Sequence, residues 1–271
     1  MSITELFYRR LLKSNLNLDE RARIADCLAS CAREEKGHEW SSIVVRKNSY
    51  KQALLFLFEY GYLKLELRNK AELVSQLNSL AESQPPESLI EIQHLRGVSD
   101  LPAVQSLMND SRLHDLVSLY LNAPARLYNV IAWWQNPMGE SHIPSNAQKW
   151  HRDRDDFSFL KLFLYCTDVD IDSGPHAYLP KSHISSNLSQ LFSTPSVKSD
   201  LISGQINDFY SDSQLDSCGF SGQRKVWIGP AGTCFFEDTR GLHRAYPPHK
   251  MPRLMFSMVW TIGPGFNSGL T

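Results

Sequence analysis

Trp150-His151-Arg152-Asp153 sets a histidine and a carboxylate two residues apart, after a polar loop and before the apolar run Phe157 to Cys166. On an extended strand, side chains at i and i+2 share a face, so His151 and Asp153 can reach one small ion while Arg152 points away. Two ligands do not hold a metal that keeps open positions. A third is offered downstream, in Asp238-Thr239-Arg240-Gly241-Leu242-His243-Arg244. Ten residues after His243 stands Arg253, at the head of the apolar run Leu254 to Trp260. Two histidines and one carboxylate on one side of a ferrous ion form a facial triad, with positions left for a co-substrate and dioxygen.

Each of these residues has rivals or a plainer reading. An isolated H-x-D is as readily a strand-end histidine beside a surface aspartate in the charged run Arg152 to Asp156. Asp155, one pleat on, shares the face of Asp153, and Asp156 faces the other way. His176, His183 and His249 compete with His243. Arg253 carries a planar fork of donors that matches a carboxylate bidentately, and a buried cation needs a partner. That partner is either a bound dicarboxylate or an internal acid. Ser257 lies an even number of residues on, facing the same side. Lys161 is a lone charge in an apolar strand, and must meet a co-substrate, a substrate or an acidic side chain. Trp133 and Trp134 are core residues, or one of them walls a pocket.

Taken together and in order, these elements resemble the phytanoyl-CoA dioxygenase family of iron(II)/2-oxoglutarate oxygenases. His151-Arg152-Asp153 matches the family's H-x-D, and Ser173-Gly174-Pro175-His176 through Leu179-Pro180-Lys181-Ser182-His183 is similar to its Gly-Pro and Pro-x-Ser-His stretch. Gly229-Pro230-Ala231-Gly232-Thr233 is similar to the turn before the distal histidine, matched by His243. Arg253 matches the arginine that grips 2-oxoglutarate. Phe58-Glu59-Tyr60-Gly61-Tyr62 resembles an early segment, so the likeness runs from about Leu54 to Ile262.

The resemblance implies a double-stranded β-helix, a jelly roll of the cupin type, with His151, Asp153 and His243 on the metal. It implies Fe(II), 2-oxoglutarate and O2 as cofactor and co-substrates, with release of succinate and CO2. Arg253, Gln135, Lys161 and Ser257 are expected at the co-substrate. His176, where the family has an apolar residue, and Trp133 are expected at the substrate. His183 fits a structural hydrogen bond. Halogenating relatives lack the carboxylate, so Asp153 favours hydroxylation, or a related desaturation or epimerisation, of a small or lipid-linked metabolite. A catalytically silent jelly roll that binds a sugar or small molecule is the alternative; a cupin using another metal without 2-oxoglutarate is disfavoured by Arg253.

The elements that must position these residues change character along the chain. Apolar residues recur at helical spacing from Ile3 to Lys13. A second helix is expected from an N-cap at Asp19 to Lys36, closed by Gly37, and a third from Ser49 to Glu59. Leu63 to Leu67 alternates as a strand, and helices are expected over Asn69–Ser83 and Ser111–Leu121. Beyond Ala125, short apolar runs separated by turns dominate: Ala125–Gln135, Phe157–Cys166, Ala177–Leu179, Lys225–Ile228, Thr233–Glu237 and Arg253–Thr261. Helices first and strands after indicate an α+β class. Residues 1–53 are expected as a helical extension serving as a cap or a homo-oligomer contact, and 54–271 as the catalytic domain. The polar stretch 184–222 is too long for an ordinary connection and is a candidate lid.

The chain has 271 residues, 42% hydrophobic and 21% charged, which supports a large core. A formal net charge of -1 without a basic stripe argues against a nucleic-acid partner and leaves a small-molecule substrate. The five cysteines show no C-x-x-C spacing, and Cys27 and Cys31 read as helix-face thiols of a reduced protein. With no basic, apolar leader and no membrane-length apolar run, the expected location is cytoplasmic.

Overall fold

The computed structural model describes residues 18–87, 90–139, 146–184, 186–188, 209–218 and 222–263, with Tyr8, Arg10 to Leu12, Ser14, Leu16 and Phe220 besides. Two antiparallel sheets carry the fold. The larger has six strands in the order β1 (Tyr62–Leu65), β9 (Cys234–Glu237), β5 (Phe159–Tyr165), β11 (Arg253–Thr261), β3 (Arg126–Gln135) and β2 (Ile92–His94). The smaller has five: β7 (Phe209–Tyr210), β4 (Trp150–His151), β10 (His243–Ala245), β6 (His176–Tyr178) and β8 (Lys225–Trp227). The expected α+β jelly roll is present, although the two sheets do not close into a barrel.

Strand alternation divides the large sheet into two surfaces. Leu160, Leu162 and Leu164 of β5, Leu254, Phe256 and Met258 of β11, and Phe236 of β9 turn outward to the helices. Each such side chain contributes about 1.5–3 kcal/mol on burial. Against them pack Leu54 and Leu57 of α3 (Lys51–Tyr60), Leu73 and Leu77 of α4 (Lys70–Glu82), and Leu113, Leu116 and Val117 of α6 (Ser111–Leu121). The intervening residues face the small sheet. There Phe163, Tyr165, Phe235 and Met255 pack with Trp227, and Trp133 joins them.

Gly61 shows how helix and sheet are locked together. It ends α3 at φ 79°, and a Cβ there would lie 2.1 Å from the Tyr178 hydroxyl and 2.5 Å from His183 Nδ1. Only glycine fits both the backbone and the space. His183 Nε2 meets the Phe58 carbonyl at 3.1 Å, the structural hydrogen bond expected of it.

Several expectations need correction. The helix α1 (Leu18–Glu35) puts Asp19 within its first turn, not at its cap, where the carboxylate favours the helix dipole. Gly37 does not close the helical region; it opens α2 (Gly37–Val45), which delivers Ile43 to the main core. A further helix, α5 (Pro102–Met108), and the edge strand β2 were too short to leave a periodic signal. The stretch 184–222 is not all connection. Its end forms β7, which pairs with β4, and α7 (Asp212–Ser217), opened by a Ser211/Gln214 capping box. Trp150 donates to Asp212 at 2.9 Å and Arg244 meets the same carboxylate at 3.0 Å, which ties α7 to the small sheet. Residues 189–208, the middle of the candidate lid, and Ile3 to Phe7 of the first expected helix lie outside the described residues. Among the described residues no helix is long and apolar enough to cross a membrane.

Candidate metal centre

β4 and β10 lie side by side with His151 directly opposite His243, so both imidazoles leave the same face of the small sheet. Their ring centroids are 4.2 Å apart. Asp153 follows β4 on a chain fixed by its own N–H, which donates to the Thr239 carbonyl at 2.8 Å. His151 Nε2 is 3.4 Å from Asp153 Oδ1, and His243 Nε2 is 3.2 Å from Oδ2. One ligand atom from each of the three residues lies within 4.8 Å of the others. A loop residue two places after β4, and the pairing of two distant strands, thus converge on one point.

The donor set fits a divalent cation. His151 Nδ1 is 2.9 Å from the Lys149 carbonyl, and His243 Nδ1 is 3.1 Å from the Gly241 carbonyl. A carbonyl only accepts, so both Nδ1 atoms carry a hydrogen and each Nε2 is turned toward the carboxylate. Two imidazole nitrogens and one carboxylate thus meet at one point, a set that can hold a divalent cation. Carbonyl contacts of this kind fix the orientation of ligating histidines. Burial opposes ionisation of Asp153, but the Lys161 ammonium holds its carboxyl well below the usual range. Burial lowers His243, keeping it a neutral ligand.

Lys161 does meet acids. Its ammonium lies 2.7 Å from Asp153 Oδ2 and 2.7 Å from Asp155 Oδ2. Asp155 therefore faces the same side as Asp153 but is held by lysine. Asp156 faces away: it accepts from Tyr8, from the Phe157 N–H at 2.6 Å and from the Gly263 N–H at 2.8 Å, joining both ends of the described chain.

Arg253 is fully buried. It stands opposite Gln135 in the β11–β3 ladder, and its Nη2 donates to Gln135 Oε1 at 2.9 Å. Its Nε and Nη1, and Gln135 Nε2, are buried without a hydrogen-bond partner among the described residues. No carboxylate there pairs with it, so the internal-acid alternative finds no support. Burial pulls its pKa down, and only Tyr165 opposes this. A guanidinium with two orphaned donors beside an orphaned amide fits the carboxylate of a small acid. Ser257 shares the face but lies opposite Phe163, with Met255 between it and Arg253. Four residues of strand separate the two backbones by about 13 Å.

His176 stacks on His243, with ring centroids 5.6 Å apart, and its Nε2 is 2.7 Å from Glu237 Oε2. Glu237, on β9, also accepts from Trp227 Nε1 at 2.5 Å. Burial pushes Glu237 up to about 8, and burial with Arg253 holds His176 well below its ordinary value. Trp133 stands opposite Met255 on the inner face. The sequence reading missed Glu237, whose signal was a carboxylate ending an apolar strand, and Phe209. Phe209 pairs with His151 and sets its ring 5.9 Å from the imidazole, so the end of the 184–222 stretch borders the site. His249 is exposed.

No family model and no curated protein matches the chain. Solved structures do. The non-heme alpha-ketoglutarate-dependent epimerase SnoN from nogalamycin biosynthesis superposes with a TM-score of 0.52 at 17% identity, covering 79% of this chain and 83% of its own. EctD from S. alaskensis with bound Fe gives 0.52 at 16%, covering 78% and 75%. EvdO2 from Micromonospora carbonacea var. aurantiaca, complexed with 2-oxoglutarate, gives 0.51 at 15%, covering 77% and 89%. This chain has their fold.

Proposed function

We propose that the chain is an iron(II)- and 2-oxoglutarate-dependent dioxygenase of the phytanoyl-CoA dioxygenase type, hydroxylating a C–H bond of a small or lipid-linked metabolite. The observation that carries the reading is the combination of a His151-Asp153-His243 donor set with a buried Arg253 that has no internal acid. Three similar folds add support: one is named for its alpha-ketoglutarate dependence, one holds Fe and one holds 2-oxoglutarate.

In this reading His151, Asp153 and His243 hold the iron, with their ring orientation set by the Lys149 and Gly241 carbonyls. Bound iron with 2-oxoglutarate and O2 supplies an oxidant for a C–H bond while 2-oxoglutarate becomes succinate and CO2. Arg253 receives the distal carboxylate, and Gln135 orients the guanidinium fork from the neighbouring strand. Phe163, Phe235, Tyr165 and Met255 line the inner face and exclude water. In this reading Trp133 on the inner face and Phe209 beside His151 wall the substrate. Residues 54–271 are the catalytic unit in this reading, and 1–53 an accessory helical element.

The test is anaerobic titration with Fe(II) and 2-oxoglutarate, followed by a metabolite-library screen for succinate release. A weak visible charge-transfer band and substrate-stimulated succinate are expected. No band and no succinate with any compound would leave a silent jelly roll.

A further inference from the structure

We infer that Lys161 is a positioning residue that limits the protein to one carboxylate oxygen on the metal, so that two adjacent positions stay open for a chelating co-substrate. The inference rests on the metal-site reading above. It starts from an excess of acid. His151-Arg152-Asp153-Arg154-Asp155 brings two carboxylates to one face, and a divalent ion there could draw on up to four oxygens. A facial triad needs only one of them. A second oxygen from Asp153, or one from Asp155, would occupy a place that a 2-oxo acid requires.

Lys161 removes that surplus. Its ammonium reaches from β5, on the opposite sheet, to Asp153 Oδ2 at 2.7 Å and Asp155 Oδ2 at 2.7 Å. Both contacts are at charge-assisted hydrogen-bond distance. An oxygen engaged by an ammonium is a poor second donor, so Asp153 ligates through the other. Asp155 is held off the ion and fixes the lysine in turn. The side chain is 14% exposed and rises from a strand that pairs with Glu237 on one side and Val259 on the other, so it has little freedom to swing away. This differs from the co-substrate contact expected of Lys161: the residue acts through the metal ligand.

The charge logic predicts opposite changes in two affinities. In Lys161→Met the freed carboxylates bind the ion more strongly, and the 2-oxo acid loses one of its two positions. Co(II) and Fe(II) affinity should rise or hold. The affinity for 2-oxoglutarate, read from the anaerobic charge-transfer band, should fall about tenfold or more. The Co(II) absorption of Lys161→Met, without any 2-oxo acid, should differ from wild type in intensity and position, reporting a changed donor set. Lys161→Arg, which keeps a donor for each carboxylate, should restore part of the 2-oxoglutarate affinity.

A structural role would give a different pattern. Metal and 2-oxoglutarate affinities that fall together, or a Co(II) spectrum and 2-oxoglutarate affinity that both match wild type, would overturn the inference. If wild type binds Co(II) but never shows the 2-oxoglutarate band, the proposed function fails. The metal-only comparison of wild type, Met and Arg forms then still tests Lys161 by itself.

Discussion

Arg253 and Gln135 face each other across β11 and β3, joined by a hydrogen bond of 2.9 Å from Nη2 to Oε1, while Nε and Nη1 are buried without a hydrogen-bond partner among the described residues. A charge this buried and this poorly partnered is a site waiting for an anion. Arg253→Ala should leave metal binding intact and weaken 2-oxoglutarate by about 2–5 kcal/mol, roughly 30-fold to several-thousand-fold. Arg253→Lys should recover only part, because an ammonium lacks the fork. Pyruvate, without the distal carboxylate, should bind wild type weakly and be little affected by either change. Charge-transfer titrations of the three forms check this; equal 2-oxoglutarate affinity in the Ala form would make Arg253 a structural residue.

Glu237 and His176 predict a pH dependence of stability in the metal-free protein. Burial pushes the Glu237 carboxyl from 4.5 up to about 8, so between those values the folded chain holds a proton that the unfolded chain releases. Rising pH through this window therefore favours unfolding. His176 acts in the opposite sense: its imidazole is kept neutral in the fold, and stability falls as pH drops below 6.5. Glu237→Gln removes only the first effect. Relative to wild type, the variant should gain about 1–3 kcal/mol between pH 5 and pH 8, measured by urea unfolding at several pH values. A difference that stays flat with pH would mean that Glu237 is ionised in the fold.

Why some of this was legible in the sequence and some was not follows from the distances along the chain. His151 and Asp153 could be paired from their spacing of two, although the strand ends at His151 and Asp153 is set by its N–H to the Thr239 carbonyl. Arg253 was readable as a buried cation from the apolar run behind it. What meets Lys161 was not readable. Its partners are close in sequence, but they lie in the loop that follows β4 of the other sheet, and only the facing of β5 against that loop brings them together. Glu237 and His176 are 61 residues apart and join through the packing of two sheets, for which no local pattern exists. Short elements such as α5 and β2 were missed because too few turns or pleats repeat to reveal a period. The end of the 184–222 stretch left no strand signal because Phe209–Tyr210 is only two residues long, too short to show an alternation.

Asp238 predicts a purely structural weak point just outside the metal centre. Fully buried, it accepts from the Tyr120 hydroxyl at 2.6 Å, from Arg240 Nε at 2.8 Å and from Arg240 Nη2 at 2.5 Å. Removing Arg240 would strand a buried carboxylate. Arg240→Ala should cost about 3–5 kcal/mol by urea unfolding, and Tyr120→Phe about 1–2 kcal/mol. Retention of full stability in Arg240→Ala would mean that water replaces the guanidinium.

Metal binding by the three side chains can be measured without a substrate. The Nε2 atoms of His151 and His243 face Asp153 at 3.4 Å and 3.2 Å, so a divalent cation would find three ligand atoms already gathered. A ligand that binds the folded chain alone stabilises it by RT ln(1 + [L]/Kd), about 2.7 kcal/mol at a hundredfold excess over Kd. For a chain of this size that should raise the melting temperature by about 5–10 °C. Co(II) or anaerobic Fe(II) should produce the rise in wild type, and a chelator should reverse it. His151→Ala and His243→Ala should melt near the metal-free wild type and show no rise at micromolar metal. Asp153→Asn is the informative control. It keeps both histidines and removes the charge, so a reduced but measurable rise is expected. If all three variants respond to metal as wild type does, the cation binds elsewhere, and the convergence of these three side chains belongs to packing and not to ligation.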